Sequence, residues 1–319
     1  MQDTLRNLKK KLKEINLPVY ICGHINPDHD SIGSSLALAR LLEKIGKTAK
    51  VLLPLNDRDI LSVHNNHHLV VDEVIDDNFC FIALDMNESY RLGIFKKDFE
   101  RAEYKINIDH HQGNKVDADI VVSEPDKSST SEIIYNLFCV FGREYLDLNV
   151  CESLYTGIMT DTSGFARRIS PNTMSIAQRL INKGINYERL IKGTFSHRTL
   201  YELKALGKLI DEIKFDECLH YLTIDKNLDE YKNLTHNQIT KTIAEELRKI
   251  EDIDVFLIFI KEKDFITTKC MSNISKNANL IANLFGGGGH KGEAGFTIKN
   301  VPIEEIIIKT KSFLQNKNA

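Results

Sequence analysis

His24, Asp28, His29 and Asp30 fall within seven residues, directly after the apolar run LPVYICG. Asp85 closes the apolar run FCFIALD, and Asp109, His110 and His111 close EYKINIDHH. Asp161 ends the apolar stretch of YTGIMTDTSGF. Carboxylates and imidazoles without a thiol are donors for Mn²⁺, Mg²⁺ or Fe²⁺ rather than for a thiolate zinc site. Asp28 and Asp30 straddle one residue, so in an extended turn they face two neighbouring ions. Asp85, alone at its strand end, is suited to bridge them. Two cations about 3.5–4 Å apart can share a hydroxide and stabilise both the attacking and the leaving oxygen of phosphoryl transfer. Taken singly, each Asp has an ordinary alternative as a turn former or helix cap. That alternative must hold at every cluster at once, and it gives no reason for an Asp-His-His triplet directly after an apolar strand. His29 reads as a solvated loop residue. His64, His67 and His68 in VHNNHHLV have no acid beside them and read as polar surface.

The elements that must position these groups follow from periodicity. Residues 3–16 have helical spacing, PVYIC reads as a strand, and SIGSSLALARLLEKIGK reads as a helix capped by Ser31 and ended by Gly46. TAKVLLP, FCFIALD and EYKINIDHH supply three more strands, and helical patterns recur over 128–142, 150–160 and 171–184. Strands alternating with helices predict parallel βαβ units, hence an α/β fold with a parallel sheet and flanking helices. Ligands of such sheets sit beyond the carboxyl ends of the strands, where three of the polar clusters lie. Beyond residue 185 the texture changes. LHYLTI, IDVFLIFIKEKD and FITTKCMS read as strands of a smaller α/β domain with a mixed sheet, with HNQITKTIAEELRKI a helix between them. A glycine-rich loop and a final helix near 303–315 follow. The expected organisation is a metal-binding domain over 1–186, a helical connector over 187–205 and a second domain over 206–319.

The chain has 319 residues, 42% hydrophobic and 27% charged, which suits two globular domains. Its net charge of −3 leaves no basic footprint for long nucleic acid but does not disfavour a small anion in one pocket. No apolar run is long enough for a bilayer, and the charged N-terminus has no signal-peptide core, so a cytoplasmic protein is expected. The six cysteines are dispersed with no CxxC pair, as expected of reduced thiols.

GHINPDHDSIGS, ALDMNESYRLG, NIDHHQGN and YTGIMTDTSGF, in that order, resemble the four motifs of the DHH phosphoesterase superfamily. FGGGGHKGEAGF resembles the glycine-rich motif of its associated C-terminal domain. Size and motif set are most similar to the NrnA-type oligoribonuclease and pAp-phosphatase group. The resemblance covers nearly the whole chain and implies two divalent ions, Mn²⁺ first and Mg²⁺ or Fe²⁺ as alternatives. Carried over by position, His24, Asp28 and Asp85 hold one ion, and Asp30, Asp85, His110 and Asp161 hold the other, with Asp85 bridging. Asp109 orients the neighbouring histidine, and His111 contacts the scissile phosphate and assists proton transfer. The implied reaction is attack by a metal-bridging hydroxide, releasing mononucleotides from short oligoribonucleotides or dinucleotides such as pApA. Removal of the 3′-phosphate of pAp is a second implied activity.

The resemblance also implies nucleotide binding by Gly286, Gly287, Gly288, Gly289 and His290. Consecutive glycines let backbone N–H groups approach an anion, and a tight turn is the compatible structural reading. Relatives carry an Arg-Ser pair in the strand before this loop. Here Met271 stands in place of the arginine, Ser272 is kept, and Lys269 lies two residues away on the same strand face. A lysine offers a point charge, not a fork, which leaves substrate preference open. The nearest alternative function is a cyclic-di-AMP phosphodiesterase on the same scaffold. An inorganic pyrophosphatase shares the first four motifs but not the glycine loop. A RecJ-like exonuclease should be longer and more basic, and a non-catalytic nucleotide-binding protein should have lost a ligand. A substrate spanning the two domains would be short RNA or a small nucleotide, with no long nucleic acid and no membrane as partner. An apolar face on the first domain's helices is compatible with a homodimer.

Overall fold

The run PVYIC is apolar at successive positions, the pattern of a strand covered on both faces. In a computed structural model of the chain it forms β1 (Val19–Cys22), fully buried and central in a six-stranded sheet. The structure describes residues 2–195, 200–215, 218–225, 243–244, 246–247, 250–251, 253–275 and 277–318. They form two units, Met1–His197 and Arg198–Ala319.

In the first unit, β2 (Ala49–Leu52), β3 (Val70–Val71), β4 (Cys80–Leu84), β5 (Tyr104–Asp109) and β6 (Ile120–Ser123) join β1 in the order β3-β2-β1-β4-β5-β6. All five pairings are parallel. The expected parallel sheet is therefore present, extended by two short strands that periodicity missed. β3 has two residues, and β6 is an edge strand with Val122 alone buried, so neither is a continuous buried run like β1.

Both faces are covered. On one, α1 (Gln2–Glu14), α2 (His29–Lys44), α4 (Thr130–Phe141) and α5 (Leu148–Asp161) bury Leu5, Leu36, Phe138 and Leu154 against Ile21, Ile82 and Ile106. On the other, α3 (Lys96–Arg101) and the 3₁₀ turn Ser89–Phe95 cover Tyr20, Phe81 and Ala83 with Leu92, Phe95 and Phe99. The strand order reverses between β1 and β4, the crevice where such sheets hold ligands.

α2 begins earlier than its composition suggests. Asp28, not Ser31, is the N-cap, and its Oδ1 accepts from the backbone N–H groups of Asp30 and Ser31, both at 3.0 Å. Ser31 then lies inside the first turn, and its hydroxyl accepts instead from the His24 N–H at 3.3 Å. Gly46 ends the helix as expected, with φ +81°. α6 (Pro171–Ile181) and α7 (Tyr187–Phe195) complete this unit, and Leu190 of α7 joins the first core.

In the second unit, β7 (His220–Asp225), β8 (Val255–Lys261), β9 (Ile266–Ser272), β10 (Gly288–Gly289) and β11 (Glu293–Ile298) form a mixed sheet in the order β10-β11-β9-β8-β7. Only β7 and β8 pair in parallel. α8 (Leu200–Asp211) packs Leu206 and Leu209 on one face. α9 (Ala278–Asn283) and α10 (Ile303–Asn318) pack Ile281, Ile306 and Leu314 on the other. The segment expected as a connector, 187–205, is thus shared between α7 and α8 and their two cores. Most of the helix expected over 236–250 lies outside the described residues.

The cysteines are free thiols, and burial pushes Cys80 and Cys270 up to about 12, so they are unreactive packing groups. Among the described residues no helix is long and apolar enough to cross a membrane.

Candidate functional site

Each cluster read from the sequence hangs on the carboxyl edge of this sheet or on a helix end facing it. His24 follows β1, Asp85 follows β4, and Asp109 ends β5 with His110 and His111 directly after it. Asp161 is the last residue of α5. Three sets of ligand atoms lie within 4.8 Å of one another: His24, Asp28 and Asp85; Asp30, His110 and Asp161; and Asp85, His110 and His111.

Asp85 occupies the middle. Its Oδ2 is 3.5 Å from His24 Nε2, and its Oδ1 is 3.4 Å from His110 Nε2. Each oxygen of one carboxylate therefore faces a different imidazole. The residue has φ +62°, which Asp tolerates better than most side chains. That turn leaves its N–H on Ile108 O at 3.0 Å while its side chain points off the strand end. The Thr130 hydroxyl donates to Oδ1 at 3.0 Å.

Both inward imidazoles are oriented from behind. His24 Nδ1 donates to Ile25 O at 2.8 Å, and His110 Nδ1 donates to Lys127 O at 3.3 Å. A carbonyl can only accept, so each Nε2 is turned to the site. His111 Nδ1 is held by Asp109 Oδ1 at 2.7 Å. Asp109 is fully buried, apart from the ligand sets, and its other oxygen accepts from Asn114 at 3.3 Å. Asn114 also donates to Asn107 Oδ1 at 2.6 Å, and Asn107 donates to the carbonyls of Ala83 and Met86.

Asp28 and Asp30 do not share an extended turn, since one caps α2 and the other lies in its first turn. Capping occupies Asp28 Oδ1 and leaves Oδ2 3.9 Å from His24 Nε2. Asp30 is 1% exposed and accepts from the N–H groups of Thr130 at 2.7 Å and Ser131 at 2.9 Å, the amino end of α4. The helix dipole favours an anion there. Gly157 of α5 lets this happen: a Cβ there would collide with the Ser131 hydroxyl and stand 2.8 Å from Asp30 Oδ1. Gly157→Ala is expected to destabilise the chain by about 1–3 kcal/mol through overpacking. An unchanged urea midpoint would contradict that.

The electrostatics ask for cations. Burial raises Asp30 well above the ordinary carboxylate range, and the neighbouring charges of Asp85 and Asp161 raise it further. Asp161 is raised chiefly by burial, and it stands at the carboxyl end of a helix, the unfavourable end for an anion. Its Oδ2 is buried with no hydrogen-bond partner, and its Oδ1 accepts from Arg168 at 2.7 Å. Asp85 is held well below the ordinary range. Its burial opposes ionisation, but the hydrogen bonds from His110 and His24 outweigh that. Two buried carboxylates, Asp30 and Asp85, the half-buried Asp161, whose Oδ2 lacks a hydrogen bond and lies 3.4 Å from His110 Nε2, and two inward imidazoles supply oxygen and nitrogen donors that fit a pair of hard or borderline divalent ions.

Two expectations about histidines do not hold. His29 is the first residue of α2, half-buried, with Nδ1 3.2 Å from His64 Nε2. His64 is 5% exposed, because the 3₁₀ turn over 55–63 folds it under α2, and His67 Nε2 donates locally to Leu61 O or His64 O. His67 and His68 are both exposed and fit the surface reading. The supporting partners Thr130, Arg168, Asn107 and Asn114 escaped sequence reasoning. The one local cue was the Ser-Ser-Thr-Ser run over 128–131 at the start of α4, which reads as capping chemistry.

In the second unit the glycines are used by the fold. Gly286 has φ +75° after α9, and its N–H donates to Asn283 O. Gly287 donates to Ala282 O, and His290 exchanges backbone hydrogen bonds with Glu293 across the hairpin. These N–H groups do not converge on an anion nest. Met271 is buried in the core, Lys269 pairs with Glu293 at 2.6 Å, and the Ser272 hydroxyl is shared among Asp254, Ser275 and the Asn277 N–H.

Residues 18–158 match the DHH family, N-terminal domain, and residues 218–316 match the DHHA1 domain. The chain is 27% identical to the bifunctional oligoribonuclease and PAP phosphatase NrnA of Thermus thermophilus, covering 95% of this chain and 91% of that protein. It is 22% identical to the cyclic-di-AMP phosphodiesterase GdpP of Bacillus subtilis over 96% of this chain but 49% of that protein. An exopolyphosphatase-related protein from Bacteroides fragilis shares the fold, with a TM-score of 0.86 at 23% identity over 99% of this chain and 96% of its own.

Proposed function

The chain belongs to the DHH family, and from that premise we propose that it is a metal-dependent phosphodiesterase releasing mononucleotides from short oligoribonucleotides and dinucleotides such as pApA. The observation that carries this reading is Asp85, whose two oxygens face the imidazoles of two separate ligand sets. One cation is assigned to His24, Asp28 and Asp85, and the other to Asp30, Asp85, His110 and Asp161. Mn²⁺ is the first choice for these donors, with Mg²⁺ and Fe²⁺ as the alternatives. When bound, such a pair neutralises phosphate oxygens and acidifies a water.

The remaining steps belong to the chain. Asp28 and Asp30 are held in place by the N–H groups of α2 and α4, so their carboxylates need no reorganisation on loading. Thr130 keeps Asp85 Oδ1 in position. Asp109 fixes the His111 ring through Nδ1, which directs Nε2 to hydrogen-bond the phosphoryl group and pass a proton to the leaving oxygen. The second unit is assigned to nucleotide binding through the side chains of His290 and its hairpin. Lys269 contributes there only by exchanging Glu293 for substrate. Free buried thiols suit a reducing cytoplasm.

Similarity to GdpP over almost the whole chain favours cyclic-di-AMP as the second substrate to test. The experiment is product analysis with pApA, cyclic-di-AMP, pAp and pyrophosphate in parallel, with and without Mn²⁺. Mn²⁺-dependent release of AMP from pApA is the expected result. Hydrolysis of pyrophosphate alone would sink the reading.

A further inference from the structure

The 3₁₀ turn Ser89–Phe95 leans on the segment that carries His24. Ile25 N–H donates to Arg91 O at 2.7 Å, and Gly93, at φ +58°, has no Cβ because one would collide with the Ile25 side chain. Arg91 is thereby fixed, half-buried, beside the segment that carries His24. Yet its guanidinium has no hydrogen-bond or ion-pair partner among the described residues. The acids of this part of the chain have other partners: Asp28 caps α2, Asp85 faces His24 and His110, and Glu88 pairs with Lys115 at 3.0 Å. Arg168, the other arginine at the centre, is bonded to Asp161.

A half-buried cation without a counter-charge is costly to keep, and a flexible side chain beside so many carboxylates would ordinarily collapse onto one. The backbone bond to Ile25 and the close contact at Gly93 fix the main chain from which this one extends. The guanidinium fork matches two oxygens of a phosphoryl group, and a lysine would not. We propose that Arg91 is a phosphate-binding residue, taking the scissile phosphoryl group of the substrate on the His24 side of the centre. This rests on the phosphodiesterase reading of that centre.

The test compares wild type, Arg91→Gln and Arg91→Lys for pApA hydrolysis, Mn²⁺ stoichiometry and calorimetric binding of AMP to the Mn²⁺-loaded protein. Arg91→Gln is expected to lose roughly 10²–10³-fold in kcat/KM, as when one preorganised donor to a developing oxyanion is removed. It should keep two Mn²⁺ per chain and bind AMP more weakly, with Arg91→Lys in between. Activity and AMP affinity within about threefold of wild type in Arg91→Gln would overturn the assignment. Loss of Mn²⁺ in both variants would also overturn it, because the residue would then act through His24. If wild type cleaves no phosphodiester, the functional reading fails by itself. AMP binding then judges Arg91: unchanged affinity in both variants overturns the proposal, and weakened affinity sustains it.

Discussion

Asp85→Asn is expected to fold, to bind fewer than two Mn²⁺ per chain, and to lose about 10³–10⁴-fold in turnover of pApA. The magnitude follows from the several kcal/mol that a cation pair contributes to charge stabilisation in phosphoryl transfer. Folding should survive because Asn accepts the left-handed backbone at φ +62° at least as readily as Asp. The amide can still accept from Thr130, but it cannot neutralise two imidazoles or two cations. His24 and His110 lose their shared counter-charge, so the effect is on the whole centre and not on one ligand set. Metal analysis beside steady-state kinetics checks it. A variant that keeps two ions and wild-type turnover would remove Asp85 from the bridging position. Asp85→Val would be uninformative, because a β-branched residue at this φ adds backbone strain of about 1–3 kcal/mol.

Metal affinity is expected to climb steeply with pH. In the metal-free chain, burial disfavours the charge on His110. The hydrogen bond to Asp85 and the charges of Asp161, Asp85 and Asp30 outweigh that and push it up to about 10. A raised imidazole stabilises the metal-free fold fully below its ordinary value near 6.5, and that contribution is lost as pH rises through about 10. A cation on Nε2 must displace this proton, so apparent affinity should rise about tenfold per pH unit below 10, or about 10²-fold from pH 6.5 to 8.5. Mn²⁺ titrations at those two values measure it, and calorimetry in buffers of different ionisation enthalpy counts the released proton. The gain in Tm on loading should widen over the same interval. An affinity independent of pH would mean that His110 is not a ligand.

The fold was legible wherever a segment is a continuous apolar run or shows helical spacing. Four of the six strands in the first sheet, its main helices and three of the five strands in the second follow from apolar runs and their spacing, whereas β10 and β11 fall within the stretch read as a glycine-rich loop. β3 and β6 were not legible, since both are edge strands, one of two residues and one with Val122 alone buried, and they form where a neighbour offers its edge. The start of α2 was misjudged for a related reason: Ser31 and Asp28 are both good caps, and only the path of the chain out of β1 decides between them.

The types, order and strand-end positions of the candidate ligands are properties of the sequence alone, because a parallel sheet brings the carboxyl ends of its strands to one edge whatever the loops do. The resemblance to DHH proteins rests on the same information. Only the tertiary structure decides which oxygen faces which imidazole. Asp30 meets α4 across a sequence separation of 100 residues, and that meeting depends on a missing Cβ at Gly157. His64 is buried by packing under α2, and the N–H groups of Gly286 and Gly287 are taken by the end of α9 while that of His290 is taken by the hairpin. These are facts of close approach between distant segments, and composition and spacing along one chain carry no measure of such distances.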